Sequence, residues 1–401
     1  MRVLIADPPA MRNRKKSGVG YYAQELTRGL RRVAGEDAVL PWFPSNWLSW
    51  RQRWLSTQCM RYEAATRRGG KLARIEVQIR GRLIATIRSL FPIMEHPYRV
   101  AVGRLGCDVY HEPNFIPIDI DLPTIVSVHD LSVLRYPEWH PPKRVTQFET
   151  LFHRGLGRAS RLIAISEFGK SEIVRHLGWP PEKVSVTLMG VRPELHPAAG
   201  DELKGGMRAL GLSPGYLLHV GTLEPRKNLL MLLKAYCALP AAVRERHPLV
   251  LVGGPGWNSE ELHSYIRGEA KHRNVRWLGY VPNEHFSALY SGARALVFPT
   301  FYEGFGMPTI EMMACGGAVL ASTAGAVAET VGDKVHLIDP HDEAGWRDAM
   351  NRVCTDDDWW RMLRTGAVEA ARPFTWDRCA VDTLHAYQLT LTDGMPAKQV
   401  A

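Results

Sequence analysis

At 401 residues the chain has room for two domains of ordinary size, and its 45% hydrophobic, 23% charged make-up excludes a fibrous or disordered protein. Six cysteines (Cys59, Cys107, Cys237, Cys315, Cys354 and Cys379) form no C-x-x-C pair, which argues against a disulfide framework or structural zinc and fits a reducing cytosol. The net charge of +9 has a single address: positions 51–104 hold 12 Lys or Arg against 3 Glu, and the remainder of the chain balances.

Taken in order, Arg2 to Ala6 reads as a first strand, not as a signal peptide. A polar, basic loop leads to Gly18-Val19-Gly20, and a helix follows with Tyr22, Leu26, Leu30 and Val33 on one face. Gly18, Gly20 and Ala23 match G-x-G-x-x-A formally. A dinucleotide fingerprint needs its glycine at the strand end, however, and here a long loop intervenes. A glycine-rich loop opening a helix still suits close approach to a phosphate or an acceptor.

The block 47–104 is helical in pattern and basic. Trp47, Trp50 and Trp54 fall at helical spacing, and Leu72, Ile75, Ile79, Leu83 and Ile87 do so again among arginines. Basic helices with Trp and Leu on the other face lie in anionic membrane surfaces; the plainer reading is an inserted hairpin with solvated arginines. The aromatics are not spaced as a stacking platform, which speaks against nucleic acid. No run of about 18 apolar residues occurs, so no bilayer span is expected.

Asp108 to His111, Thr124 to Val128, Arg161 to Ile165 and Val184 to Thr187 read as further strands, with Ser166 capping a helix from Glu167 to Leu177. His129-Asp130 ends the second of these strands, where a histidine serves as acid, base or polar contact, or simply as a hydrogen-bonded structural residue. The Pro- and Gly-rich stretch from Gly190 to Pro214 reads as a linker. Strands then recur at Tyr216–Val220, Leu249–Val252, Val275–Leu278, Ala295–Phe298, Val319–Ser322 and Val335–Ile338, alternating with helices or loops. That alternation makes parallel, doubly wound sheets, so the fold class is α/β with two Rossmann-like domains facing a cleft.

Two loops of the second half carry chemistry. Gly221-Thr222-Leu223-Glu224-Pro225-Arg226-Lys227 lies between a strand and a helix, where Arg226 offers a fork and Lys227 a point charge to a diphosphate; the bland reading is a solvated turn. Glu303-Gly-Phe-Gly-Met-Pro-Thr-Ile-Glu311 joins a strand to a helix that Gly316-Gly317 stops. Gly304 and Gly306 allow close backbone approach, Pro308 suits a first helical turn, and the N–H groups of Met307, Thr309 and Ile310 favour an anion. Glu303 and Glu311 would be poor neighbours for that anion, so hydroxyls are their natural partners. A phosphate cradle flanked by two hydroxyl-reading carboxylates describes a nucleotide-sugar pocket; a Gly-Pro turn with two surface glutamates is the alternative. Metal sites are weakly supported, since Asp119-Ile120-Asp121 sits in a Pro-bounded turn and Asp356-Asp357-Asp358 reads as a helix cap.

Gly18-Val19-Gly20, His129-Asp130, the 221–228 segment and Glu303-x₇-Glu311, in that order, resemble the retaining nucleotide-sugar glycosyltransferases of the GT-B fold, family 4 or "group 1". The resemblance is strongest from Tyr216 to about Ile338, and block 47–104 has no counterpart in the common pattern. It implies an acceptor-side domain over 1–195 with a helical basic insertion at 47–104, a donor domain over 196–376, and a helix from 377 crossing back, with a tail to 401. It also implies that Glu311 binds ribose hydroxyls, Glu303 the transferred sugar, and Arg226 and Lys227 the diphosphate. The backbone of Phe305, Gly306, Met307, Pro308 and Thr309 would complete the donor site with Gly221, Thr222 and Gly304. Tyr280-Val281 would lie by the nucleobase, His129 by the reacting sugar, and Gly18 and Gly20 where donor meets acceptor. The implied reaction is metal-independent, cofactor-free, retaining hexosyl transfer, with mannose from GDP-mannose the best match, onto a glycan or polyprenyl-linked glycan in polysaccharide or lipopolysaccharide synthesis. The expected setting is the cytoplasm, peripheral on an anionic membrane face. A nucleotide-sugar epimerase or hydrolase, or a non-catalytic nucleotide-sugar binder, would share the same pocket.

Overall fold

The computed structural model describes residues 1–6, 18–42, 74–83, 86, 100, 102–118, 120–332 and 335–394. They divide into two units, one from Met1–Ala164, Glu172–Thr187 and Cys379–Ala401, the other from Ile165–Ser171 and Leu188–Arg378.

The first unit is built on strands β1 (Val3–Ala6), β2 (Val39–Trp42), β3 (Val109–Glu112), β4 (Thr124–Val128), β5 (Arg161–Ala164) and β6 (Val184–Val186). They pair in parallel in the order β2-β1-β3-β4-β5-β6. The runs Val-Leu-Ile-Ala, Thr-Ile-Val-Ser-Val and Arg-Leu-Ile-Ala are buried throughout, as strands covered on both faces must be. Strand β2 was not anticipated: it is four residues long, carries Pro41 and occupies a sheet edge, where a missing N–H is tolerated. Gly18 and Gly20 lie in the helix Gly18–Ala34 itself, not in a loop before it. Tyr22, Leu26 and Leu30 lie on its buried face, but Val33, in its last turn, is exposed.

The second unit repeats the plan with β7 (Tyr216–Val220), β8 (Leu249–Val252), β9 (Val275–Gly279), β10 (Ala293–Phe298), β11 (Ala318–Ser322) and β12 (His336–Ile338). The parallel order is β12-β11-β10-β7-β8-β9. From β7 the chain winds outward through β8 and β9, then returns to β10 on the other side of β7. The strand order therefore reverses between β7 and β10, and the crevice at their carboxyl ends is where such sheets take ligands.

Part of the expected linker is structured: Gly200–Leu210 is a helix that ends on Gly211, with Met207 buried and Leu203 packed against the core. Its period was masked by Gly205 and Gly206. The second of these is required, because a Cβ there would come within 2.3 Å of the Ala288 methyl. Ser166 caps its helix as expected, accepting from Gly169 N at 2.9 Å, and Asp356 does the same for Trp359 N at 2.9 Å. The helix Trp376–Asp393 begins in the second unit and continues in the first, where Tyr387 Oη meets His111 Nδ1 at 2.7 Å and Asp393 pairs with Arg161 at 2.8 Å.

Most of the basic block 47–104, with its tryptophans, lies outside the described residues, as does Asp119 of the Asp119–Asp121 pair. Within the block, 74–83 is helical. Ile75, Ile79 and Leu83 are exposed on it at intervals of four, beside exposed Arg74, Gln78 and Arg82. No described helix is long and apolar enough to cross a membrane.

Candidate functional site

At the β7/β10 switch point two loops are bolted together by their backbones. Phe301 N and the Thr300 hydroxyl both bond the Arg226 carbonyl, at 2.8 and 3.0 Å. Asn228, in the left-handed conformation at φ 56°, donates through Nδ2 to the carbonyls of Pro299 (3.1 Å) and Pro340 (2.7 Å). The turn Pro225–Lys227 is thereby fixed against the strand β10 exit.

Charge converges on Glu303. Lys227 Nζ pairs with Oε1, Arg226 Nη1 lies 3.2 Å from Oε2, and the Thr300 hydroxyl is 3.2 Å from Oε1. Arg226 is also held by Glu224 (Nε to Oε1, 2.6 Å) and by the Tyr302 carbonyl (3.1 Å). Lys227 sits 5.1 Å above the Phe298 ring, whose face favours a cation. All three of Lys227, Glu303 and Glu224 are buried, so these are not solvated turn residues.

Below this cluster lies His219, fully buried, with Nδ1 at 3.0 Å from the Val297 carbonyl and hence carrying the ring proton. Burial, aided by the Lys227 charge, pushes its pKa down to about 4, so the ring is neutral. Its Nε2 has no hydrogen-bond partner among the described residues.

The glycine turn is pinned by its carbonyls. Gly304 O accepts from the Ser166 hydroxyl (2.8 Å), Phe305 O from Thr330 (3.0 Å) and Gly306 O from the Thr309 hydroxyl (2.7 Å). Thr309 N–H also closes on Gly306 O at 3.0 Å, so it is not a free donor as the sequence suggested. The N–H groups without an acceptor among the described residues are those of Gly304, Phe305, Gly306 and Met307. Successive unpaired N–H groups at the start of a helix, here Met307–Ala314 with Pro308 in its first turn, form an anion-binding concavity.

Glu311 does not join the Glu303 cluster. It is buried on the same helix, with Oε1 at 2.7 Å from Arg192 Nε, and Oε2 at 3.1 Å from Arg192 Nη2 and 2.8 Å from the Tyr290 hydroxyl. Tyr290's pKa is raised, first by burial and then by the Glu311 charge, so the phenol keeps its proton and donates. Gly221 and Thr222 open the first loop, with Gly221 N bonded to Val252 O at 2.9 Å. Tyr280 is exposed at the end of β9 and Val281 is buried behind it.

Gly18, Gly20 and His129 belong to the other unit. His129 is buried beyond β4, its Nε2 at 2.8 Å from the Pro113 carbonyl and its ring edge-on to Tyr22 and Phe115. Burial lowers its pKa, which leaves a neutral imidazole. Asp130 turns away to bond Ser132 N (2.9 Å) and Oγ (2.7 Å). Nearby in sequence, Glu112 accepts from Tyr110 Oη (2.8 Å) and Asn114 N (2.9 Å), and burial raises its carboxyl to about 7.

Arg192, Tyr290, Glu224 and His219 escaped the sequence reading. Glu224 sits inside the quoted motif and could have been found as the acid two residues before Arg226. Arg192 had no local signal.

The sequence profile of "Glycosyl transferases group 1" matches residues 209–372. O-antigen chain mannosyltransferase B of Escherichia coli is 34% identical over 318 residues, covering 77% of this chain and 83% of that protein. Solved structures share the fold, two of which serve as examples. They are sucrose-phosphate synthase of Thermosynechococcus elongatus (TM-score 0.68, 18% identity, 98% and 99% of the two chains) and Anabaena HepE with UDP-glucose (TM-score 0.66, 17% identity, 97% and 99%). With its two parallel six-stranded sheets and its arginine–lysine loop facing the glycine turn, the chain belongs to the group 1 glycosyltransferases, family 4 of the GT-B fold.

Proposed function

We propose that this glycosyltransferase moves mannose from GDP-mannose onto a glycan or polyprenyl-linked glycan in O-antigen-type polysaccharide assembly, with retention and without a metal. The convergence of Arg226 and Lys227 on Glu303 at the switch point carries the reading. Mannose is supported by the Escherichia coli relative, and a nucleotide-diphosphate donor by the UDP-glucose bound to the Anabaena structure.

The two cations are balanced by two carboxylates, Lys227 by Glu303 and Arg226 by Glu224 and Glu303 together. A diphosphate arriving at the N–H groups of 304–307 takes over Arg226 and Lys227, and the same exchange frees Glu303 to accept hydroxyls of the sugar. As the glycosidic C–O bond breaks, negative charge grows on the departing diphosphate, and fixed cations meet it where stabilisation accelerates the step. Two such cations supply the positive charge a divalent ion would otherwise bring. Tyr280, exposed at the end of β9, is assigned to the base.

Arg226→Ala is expected to lower turnover by about 10²–10³-fold while weakening donor binding much less. A radiolabelled GDP-mannose assay with a lipid-linked glycan acceptor reads this, and an unchanged turnover number sinks the assignment. Release of free sugar in the absence of acceptor would instead favour a hydrolase or epimerase.

The acceptor's setting rests on helix 74–83, whose exposed Ile75, Ile79 and Leu83 flank exposed arginines in the manner of an interfacial helix. At low salt the protein is expected to sediment with vesicles containing anionic lipid and not with neutral ones. Equal sedimentation with both removes the cytoplasmic membrane face from the proposal.

A further inference from the structure

Glu311, unlike Glu303, is engaged on both oxygens by residues outside the two switch-point loops. Arg192 spans both of them, through Nε at 2.7 Å and Nη2 at 3.1 Å, and Tyr290 adds a third donor to Oε2 at 2.8 Å. The Arg192 guanidinium carbon sits over the Phe286 ring, 4.0 Å from its centroid, a cation–π contact that helps to hold the fork in place. A carboxylate offers about four lone-pair sites. Oε2 has used two and Oε1 one, so among the described residues a single acceptor position remains, on Oε1. Buried ion pairs are poor stabilisers compared with apolar packing of the same volume. A fork, a tyrosine and an aromatic floor around one carboxylate, one helical turn beyond the unpaired N–H groups of 304–307, therefore call for a role in binding.

We infer that Arg192 is a positioning residue of the nucleotide site: with Tyr290 it holds Glu311 so that Oε1 alone receives one hydroxyl of the donor's ribose. The inference rests on the donor-site reading above and sharpens it, since a freely rotating carboxylate would take two vicinal hydroxyls together. Arg192 touches no substrate atom. It acts by fixing the orientation of Glu311.

The test is a binding cycle by calorimetry on the full chain, using GDP and UDP and the 2′,3′-dideoxy form of each. Arg192→Met is expected to weaken the ribonucleotide that wild type prefers by about 10–100-fold, the worth of one hydrogen bond to a charged group. The matching dideoxynucleotide should weaken by less than about 2-fold, because it has no hydroxyl to lose. Arg192→Lys, which keeps the charge but not the fork, should recover only part of the loss. Tyr290→Phe, which leaves the ion pair intact, should show the same ribose-selective loss to a smaller degree, and decides the matter should Arg192→Met not fold. Equal loss with both sugars means a packing role and overturns the inference. So does unchanged or tighter ribonucleotide binding, which would mean that Arg192 competes with the ribose. Wild type that binds neither GDP nor UDP would instead sink the donor-site reading on which the inference stands.

Discussion

Replacing Lys227 by methionine is expected to abolish all but about 10⁻²–10⁻³ of the turnover and to cost about 3 kcal/mol of stability. Both effects follow from one contact. The Lys227 ammonium is buried against Glu303, and removing it strands a buried carboxylate, the commonest route to a large loss. The loss stays at the lower end of the range because Arg226 Nη1 remains 3.2 Å from the other oxygen. The second substitution separates the two roles. In Lys227→Met/Glu303→Gln no unpaired charge remains, so more than half of the lost stability should return, read as the midpoint of urea unfolding. Turnover should not return, since neither the leaving diphosphate nor the sugar regains its partner. If activity came back together with stability, Lys227 would be a scaffold for Glu303 and nothing more.

A second large effect is expected at a residue with no side chain. Gly325 has φ +66°, and a Cβ there would stand 2.5 Å from the Glu303 carbonyl oxygen and 2.6 Å from its nitrogen. The next residue, Ala326, donates its N–H to that same carbonyl at 2.9 Å. Gly325→Ala must therefore move the backbone of Glu303, and a shift of about 1 Å at a reacting centre costs on the order of 10² in rate. Backbone strain adds about 1–2 kcal/mol to the loss of stability. Asparagine tolerates this conformation but carries the same Cβ. Gly325→Asn should thus be more stable than Gly325→Ala and no more active, by thermal melting and the transfer assay. Equal activity of wild type and Gly325→Asn would show that only the conformation mattered, and not the contact with Glu303.

Much of this molecule could be read from its residues because the informative contacts are short in sequence or fall at strand ends. The buried apolar runs give the strands, the strand–helix alternation gives the two parallel sheets, and the switch point then places the loops after β7 and β10 side by side. The convergence of Arg226, Lys227 and Glu303 follows from that topology. Glu311 went differently. Helical geometry turns position 311 away from position 303, toward Tyr290 on the helix Phe286–Gly292, and its partner Arg192 is 119 residues away in a stretch that reads as linker. No local pattern announces such a pair. The helix Gly200–Leu210 was hidden for another reason, since its two central glycines weaken both propensity and period while serving close packing on Ala288. Thr309 shows a third kind of limit: a helix start seen from sequence does not say which N–H groups its own cap consumes.

The pairing of Arg192 with Glu311 also bears on how donor halves can be exchanged between related enzymes. Arg192 lies upstream of the matched segment 209–372, while Glu311 lies well inside it. A chimera joined anywhere between the two inherits the carboxylate from one parent and whatever stands at position 192 from the other. Grafts meant to change sugar preference must therefore take their junction from before Arg192, or carry that arginine along with the graft.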